Sequence, residues 1–137
     1  MKHLQINKEA TTIFMQLISG LSETGAHKTL DKHNYLPKRK SGFMSVHVEC
    51  IGKDRFSVAH YFEQNGDLMS DPQMTFWVYD GRVFPASFTQ HGSIQIFQNA
   101  LLFDEDDLPH SAKVQMIQEL LVFANDWMNN IKDQQEI

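Results

Sequence analysis

Cysteine is almost missing from this chain: Cys50 stands alone in 137 residues. One thiol excludes an intrachain disulfide and any multi-cysteine zinc site. Long apolar runs are missing as well, and the N-terminal stretch MKHLQINKEATTIF lacks the uninterrupted apolar core of a signal peptide. No Gly-rich phosphate loop, nucleophile elbow or paired-histidine helix motif occurs, and there is no repeat or low-complexity segment. Positive charge is outweighed, with 12 Lys and Arg against 17 Asp and Glu, a net charge of -5. An acidic balance argues against a nucleic-acid footprint across the whole protein. These absences predict a cytoplasmic protein without a membrane segment, a metal motif or a cofactor.

What is present reads as one α+β domain over residues 1–137, long enough to bury a core without staples. From Asn7 to about Leu21, apolar Ala10, Ile13, Phe14, Leu17, Ile18 and Leu21 recur at helical spacing behind an Asn7 cap. A basic connection over 22–42 follows, broken by Pro37 and Gly42, and is expected to be loop or a short helical turn. The middle is β. FMSVHVECI and RFSVAHYFEQ alternate around Gly52-Lys53-Asp54, expected as a three-residue hairpin loop. Asn65-Gly66 and Asp80-Gly81 suit type I′ turns, and a strand near IQIF would complete an antiparallel meander of about five strands. Beyond Asp104–Asp107 and Pro109, Ser111 is the expected cap of a longer C-terminal helix reaching about Lys132.

Register tests the most conspicuous stretch, HYFEQNGDLMSDPQMTFWV. The Asn65-Gly66 turn pairs Phe62 with Met69 and His60 with Asp71. Continued unbroken, that pairing would send Met74, Phe76 and Val78 to the face opposite Phe56 and Val58, because a one-residue slip moves every side chain across the sheet. A bulge at Asp71-Pro72 resets the phase, since proline cannot donate to the ladder. One face then holds Met44, Val46, Val48, Phe56, Val58 and Phe62 with Met69, Met74, Phe76, Val78 and Val83 as core. The opposite face carries Tyr61, Trp77, Tyr79, Phe84 and Phe88 beside His47 and Glu49, too aromatic for a solvated sheet. Two helices nearly fill one face, so the aromatics need other cover: a two-fold homodimer, or the long loop before Leu36.

His60, Glu63, Asp67 and Asp71 are the candidates for catalysis or metal binding. His60 and Asp71 would act as a ligand pair or as a base with its orienting acid. The plainer account is a half-buried histidine held by a carboxylate, with Glu63 and Asp67 as solvated turn residues. Their spacing matches no metal motif. His47 and Glu49 share a strand face at i, i+2, as metal ligands sometimes do and polar patches usually do. The run from Lys28 to Lys40 would touch phosphates if the protein bound nucleic acid, but the acidic whole disfavours that partner. Cys50 ends an alternating core strand, without any sign of activation.

SVAHYFEQNGDLMSDPQMTFWV, then FPASF, then FANDWMNNIKDQQ, resembles an uncharacterised domain-of-unknown-function family found in bacteria, phages and integrated mobile elements. The likeness runs from about Leu36 to Gln135. It implies a single α+β domain of prokaryotic or phage origin and brings no established activity. Phe62 stands where that family commonly has tyrosine, Ser70 where a basic residue is common and Gln73 where an acid is common, departures that count against hydrolysis. The sequence therefore favours a small non-enzymatic accessory protein contacting a protein partner through Tyr61, Trp77, Tyr79 and Phe84, rimmed by His47 and Glu49. A metal-dependent hydrolase or nuclease centred on His60 and Asp71 is the alternative.

Overall fold

The computed structural model describes residues 2–31, 45–92 and 94–137, with the backbone alone at 2, 62–64 and 68. After a 3-10 turn at Lys2–Leu4, helix α1 spans Lys8–Ile18. Its Asn7 cap is extended (φ -71°, ψ 172°), and the Asn7 side-chain oxygen accepts the Ala10 N–H at 2.8 Å, satisfying an orphan donor of the first turn. Ala10, Ile13, Phe14 and Leu17 are its buried stripe.

Six antiparallel strands follow in meander order: β1 (His27–Leu30), β2 (Val46–Gly52), β3 (Arg55–Gln64), β4 (Asp67–Tyr79), β5 (Arg82–Gln90) and β6 (Ile96–Asn99). Expected pairings appear as Val46 with His60, Val48 with Val58 and Phe62 with Met69. Met44 lies outside the described residues. Both hairpin turns need positive φ at their centres and have it: Asn65 and Gly66 at 53° and 85°, Asp80 and Gly81 at 52° and 75°. The phase reset is real. Ala59 pairs with Gln73 and Tyr61 with Ser70, so β4 spends one residue more than β3 across Asp71-Pro72. His60 consequently faces a bulge rather than pairing with Asp71.

Both helices cover the same sheet face. Phe14 of α1 meets Phe76 and Phe56 at ring-centroid distances of 4.8 and 6.2 Å. Helix α2, Val114–Gln135, lays Trp127 edge-on to His60 at 5.5 Å and Phe123 edge-on to Phe88 at 5.4 Å. The Asn7 N–H also donates to Asn125 Oδ1 at 2.9 Å, tying the start of α1 to the flank of α2. Val46, Val58, Met74 and Phe76 beneath them are sealed from solvent.

Four expectations need correction. His27–Leu30, expected within a loop, adds to β2 as an edge strand, so that the expected meander of about five strands has six among the described residues. The first hairpin closes on Lys53-Asp54, with Gly52 opposite Arg55 and an irregularity at Ile51, so its loop has two residues. Ser111 does not cap α2: it lies in β8 (Pro109–Ala112), which pairs with β7 (Leu101–Phe103) as a separate two-stranded ribbon, and Lys113 precedes the helix without a side-chain cap. That ribbon folds against Trp77 on the outer face; the loop before Leu36, the other expected cover, lies outside the described residues from position 32 on. Phe88, expected outside, contacts α2 instead, because the β4–β5 ladder carries its own bulge between Thr75 and Phe76.

Candidate functional site

The outer face divides into a closed end and an open end. At the closed end Trp77 stacks between Tyr79 (5.2 Å) and Phe84 (5.3 Å). Phe84 is 2% exposed and Trp77 9%, whereas Tyr79, past the ribbon, is 58% exposed. Backbone bonds root the ribbon: Ala100 N–H donates to the Ala86 carbonyl and Lys113 N–H to the Ala100 carbonyl, both at 2.8 Å. Its tip is pinned too. Asp107 accepts the Lys53 N–H at 3.0 Å and pairs with the Arg55 guanidinium at 3.1 Å, while that guanidinium lies 3.9 Å over the Phe103 ring. The Lys53 N–H first, and Arg55 second, hold the Asp107 carboxyl below its usual range. Four aromatics expected as one open surface thus separate, with Trp77 and Phe84 inside, Tyr79 at the margin and Tyr61 at the far end.

The open end is built on β1, β2 and β3. Alternation sends His27 and Thr29 of β1, His47 and Glu49 of β2, and Ser57 and Tyr61 of β3 to the outer side, around a recess of about 130 Å³. The His47 and Tyr61 rings are 5.0 Å apart, and His47 Nδ1 lies 3.3 Å from the Thr29 hydroxyl. Burial in this cluster lowers the His47 pKa, so the imidazole is neutral at neutral pH. Burial, reinforced by the Glu49 carboxylate, raises that of the Tyr61 phenol, which stays protonated. A neutral imidazole, a phenol, a hydroxyl pair and one exposed carboxylate make a recess that hydrogen-bonds and stacks.

Next to it the face is a lane of mutually satisfied polar groups. Gln73 donates to the Ser57 hydroxyl at 2.9 Å, and the Thr75 and Ser87 hydroxyls pair. The Ser70 N–H donates to His91 Nδ1 at 2.8 Å. These bonds organise the surface around the bulge, beside the recess.

Among the described residues, His60, Asp67 and Asp71 do not form a group of three side chains able to hold a metal ion. His60 points to the helix side, 6% exposed, with Nδ1 3.1 Å from the Ser45 carbonyl. Burial lowers its pKa, only partly offset by the Ser45 bond and by the field of Asp71. The Asp71 carboxylate accepts from Gln90 Nε2 at 3.0 Å. Asp67 is exposed beside the Asn65-Gly66 turn, and the Glu63 side chain lies outside the described residues. Among the described residues no group of three His, Cys, Asp or Glu can hold a metal ion. Cys50 is buried, its thiol 3.3 Å from the Gly52 carbonyl.

The basic run resolves in one place. Lys28 Nζ donates to the carbonyls of Gln16 at 3.2 Å and Ser19 at 3.1 Å, closing the C-terminal end of α1 with a cation where the helix dipole favours one. Lys32, Lys38, Arg39 and Lys40 lie outside the described residues, as do Tyr35 and Leu36. Sequence reading missed His27 and Thr29, whose alternation over HKTL was the available signal.

Among the described residues no helix is long and apolar enough to cross a membrane. A family model described as a domain of unknown function, DUF6908, matches residues 13–137. Neither a curated protein nor a solved structure matches the chain.

Proposed function

The chain belongs to the DUF6908 family, and for it we propose a non-enzymatic accessory role: it holds a segment of a partner protein on the open end of its outer sheet face. The observation that carries this reading is the recess between β1 and β3, lined by His27, Thr29, His47, Glu49 and Tyr61, of which His27, Thr29 and Glu49 are exposed. Its chemistry fits a peptide carrying a basic side chain. The ammonium or guanidinium lies against the Tyr61 ring and reaches the exposed Glu49 carboxylate, while Thr29 and His47 bond the peptide backbone. Trp77 and Phe84 do not serve, since the ribbon covers them, and Tyr79 stands at its margin. The reading includes a bacterial cytoplasm and service to a mobile element, supported by the resemblance of the hairpin sequence and by a lone cysteine kept as a free thiol.

The test is a paired pull-down from the native host with the wild-type chain and with Glu49→Lys and Tyr61→Ala. A partner recovered by the wild type and lost from both variants supports the reading. One retained equally by all three refutes it. A metal scan by thermal melting separates it from the hydrolase alternative: stabilisation by zinc or manganese that vanishes in His60→Ala would replace the accessory role with a metal-dependent one.

A further inference from the structure

The sheet has two edges, and the chain treats them differently. At β1 the edge is charged, with Lys28 in the strand and Asp31 directly after it. At β6 it is not. From Val83 to Phe103 the sequence contains no Asp, Glu, Lys or Arg, the longest such run in a chain of net charge -5. Strand β6 is the last in the sheet order and pairs on one side only, through Ser87–Asn99, Phe88–Gln98, Thr89–Phe97 and Gln90–Ile96. Among the described residues no strand lies beside its other row of backbone donors and acceptors. Exposed edges are ordinarily blunted with charge, proline or a bulge, and β6 has none of these. It also exposes apolar groups: Phe97 is 64% exposed and Ile96 43%.

We infer that β6 is a dimerisation edge, on which the β6 strand of a second copy pairs antiparallel across a two-fold axis to make one continuous twelve-stranded sheet. Charge selects this occupant. Two copies of an acidic chain repel one another, so they approach where neither presents a charge, and the uncharged β6 edge meets its own copy without a like-charge contact. Pleating selects the register. A two-fold axis normal to the sheet keeps faces, so outer Phe97 must meet an outer residue. An axis through Phe97 sets Phe97 against Phe97 of the second copy and Ile96 against Gln98 of the second copy, two inner-face residues. One strand inward, Phe123 of α2 is edge-on to Phe88, the partner of Gln98, so each copy brings an apolar shoulder to the helix side of the seam. The inference is independent of the partner recess, which lies at the opposite edge.

Sedimentation equilibrium of the full chain tests it, from low micromolar concentration to the solubility limit. The wild type is expected to dimerise, and more tightly as added salt screens the repulsion. Phe97→Lys supplies the missing edge charge. Because an isologous contact counts every substitution twice, it is expected to weaken the dimer by about tenfold or more, with an unchanged monomer melting profile. Val122→Lys, at a position 69% exposed on the solvent side of α2, is expected to leave the dimer intact. Glu49→Lys and Tyr61→Ala are expected to do the same, so a failure of the partner reading is distinguishable from a failure here. A wild type that stays monomeric throughout, or a dimer as tight in Phe97→Lys as in the wild type, overturns the inference and leaves the edge to an extended segment of another protein.

Discussion

Leu101→Ala is the substitution that most directly tests how the aromatic face is closed. Leu101 opens the ribbon, pairs with Ala112 and is buried against Trp77 beside a recess of about 280 Å³ that Pro109, His110 and Ser111 also line. The change removes three carbons, about 2.4 kcal/mol of transfer free energy at about 0.8 kcal/mol per methylene. Core Leu→Ala changes cost about 2–5 kcal/mol, the upper values arising where a cavity can neither collapse nor hydrate. The recess beside Leu101 gives room for both, so the expected cost is about 2–3 kcal/mol, at the lower end of that range. Equilibrium urea unfolding measures it, in a Trp127→Phe background that leaves Trp77 as the single tryptophan. Iodide quenching of Trp77 under native conditions should rise in the same variant, because a ribbon with a weakened root opens locally before the sheet does. A cost below about 1 kcal/mol, with Trp77 already quenched in the parent, would refute the claim that the ribbon closes this face.

Gly66→Val should lower stability by about 1 kcal/mol through strain alone, since Gly66 sits at φ 85° with open space where a Cβ would stand. Thermal melting checks it, and an unchanged midpoint would place the turn elsewhere. Stability should also fall on mild acidification. The folded-state pKa of His60 lies below its ordinary 6.5, so the unfolded chain binds more protons as pH drops through that value toward the depressed one, and stability is lost across that window. In His60→Gln the slope of urea midpoints taken between neutral pH and pH 5 should shrink to the part that His47 contributes, whereas a slope unchanged by the substitution would assign the whole effect to other groups. Finally, Gly52→Ala and Asp107→Ala should be non-additive. A Cβ at Gly52 would stand 2.7 Å from the Asp107 carboxylate, so the alanine should destabilise the wild type and cost far less once that carboxylate is gone. Additive losses would show that the clash is not what matters there.

What the sequence made legible was local. Asn65-Gly66 and Asp80-Gly81 need positive φ at adjacent residues, and each fixes the register of its hairpin. The bulge at Asp71-Pro72 was deducible because apolar alternation on its two sides is out of phase, a contradiction that only an extra residue removes. Strand β1 was hidden because four residues with modest burial, HKTL, gain their order from the backbone of β2, about 20 positions away, rather than from a pattern of their own. The carbonyl of Ser45 that receives His60 was invisible for a related reason: side-chain chemistry suggested a carboxylate partner, and the backbone supplied the acceptor.

The outer face shows where such reading ends. Alternation established that Trp77 and Phe84 needed cover, but not which segment gave it. The acidic stretch before Pro109 resembles a solvated linker because its charges gather at the ribbon tip, where Asp104 Oδ1 accepts the N–H groups of Asp106 and Leu108 and Asp107 reaches back to Lys53. Its apolar contribution is confined to Leu101, Leu102 and Phe103, a run too short to announce a packing element. Two consequences follow from that one misplaced segment. Trp77 and Phe84 leave the expected aromatic docking surface, and the proposed second copy is sought at the uncharged β6 edge rather than on the aromatic face. Which half of the sheet stays open is decided by the ribbon, and that depends on contacts between residues some 25 to 55 positions apart.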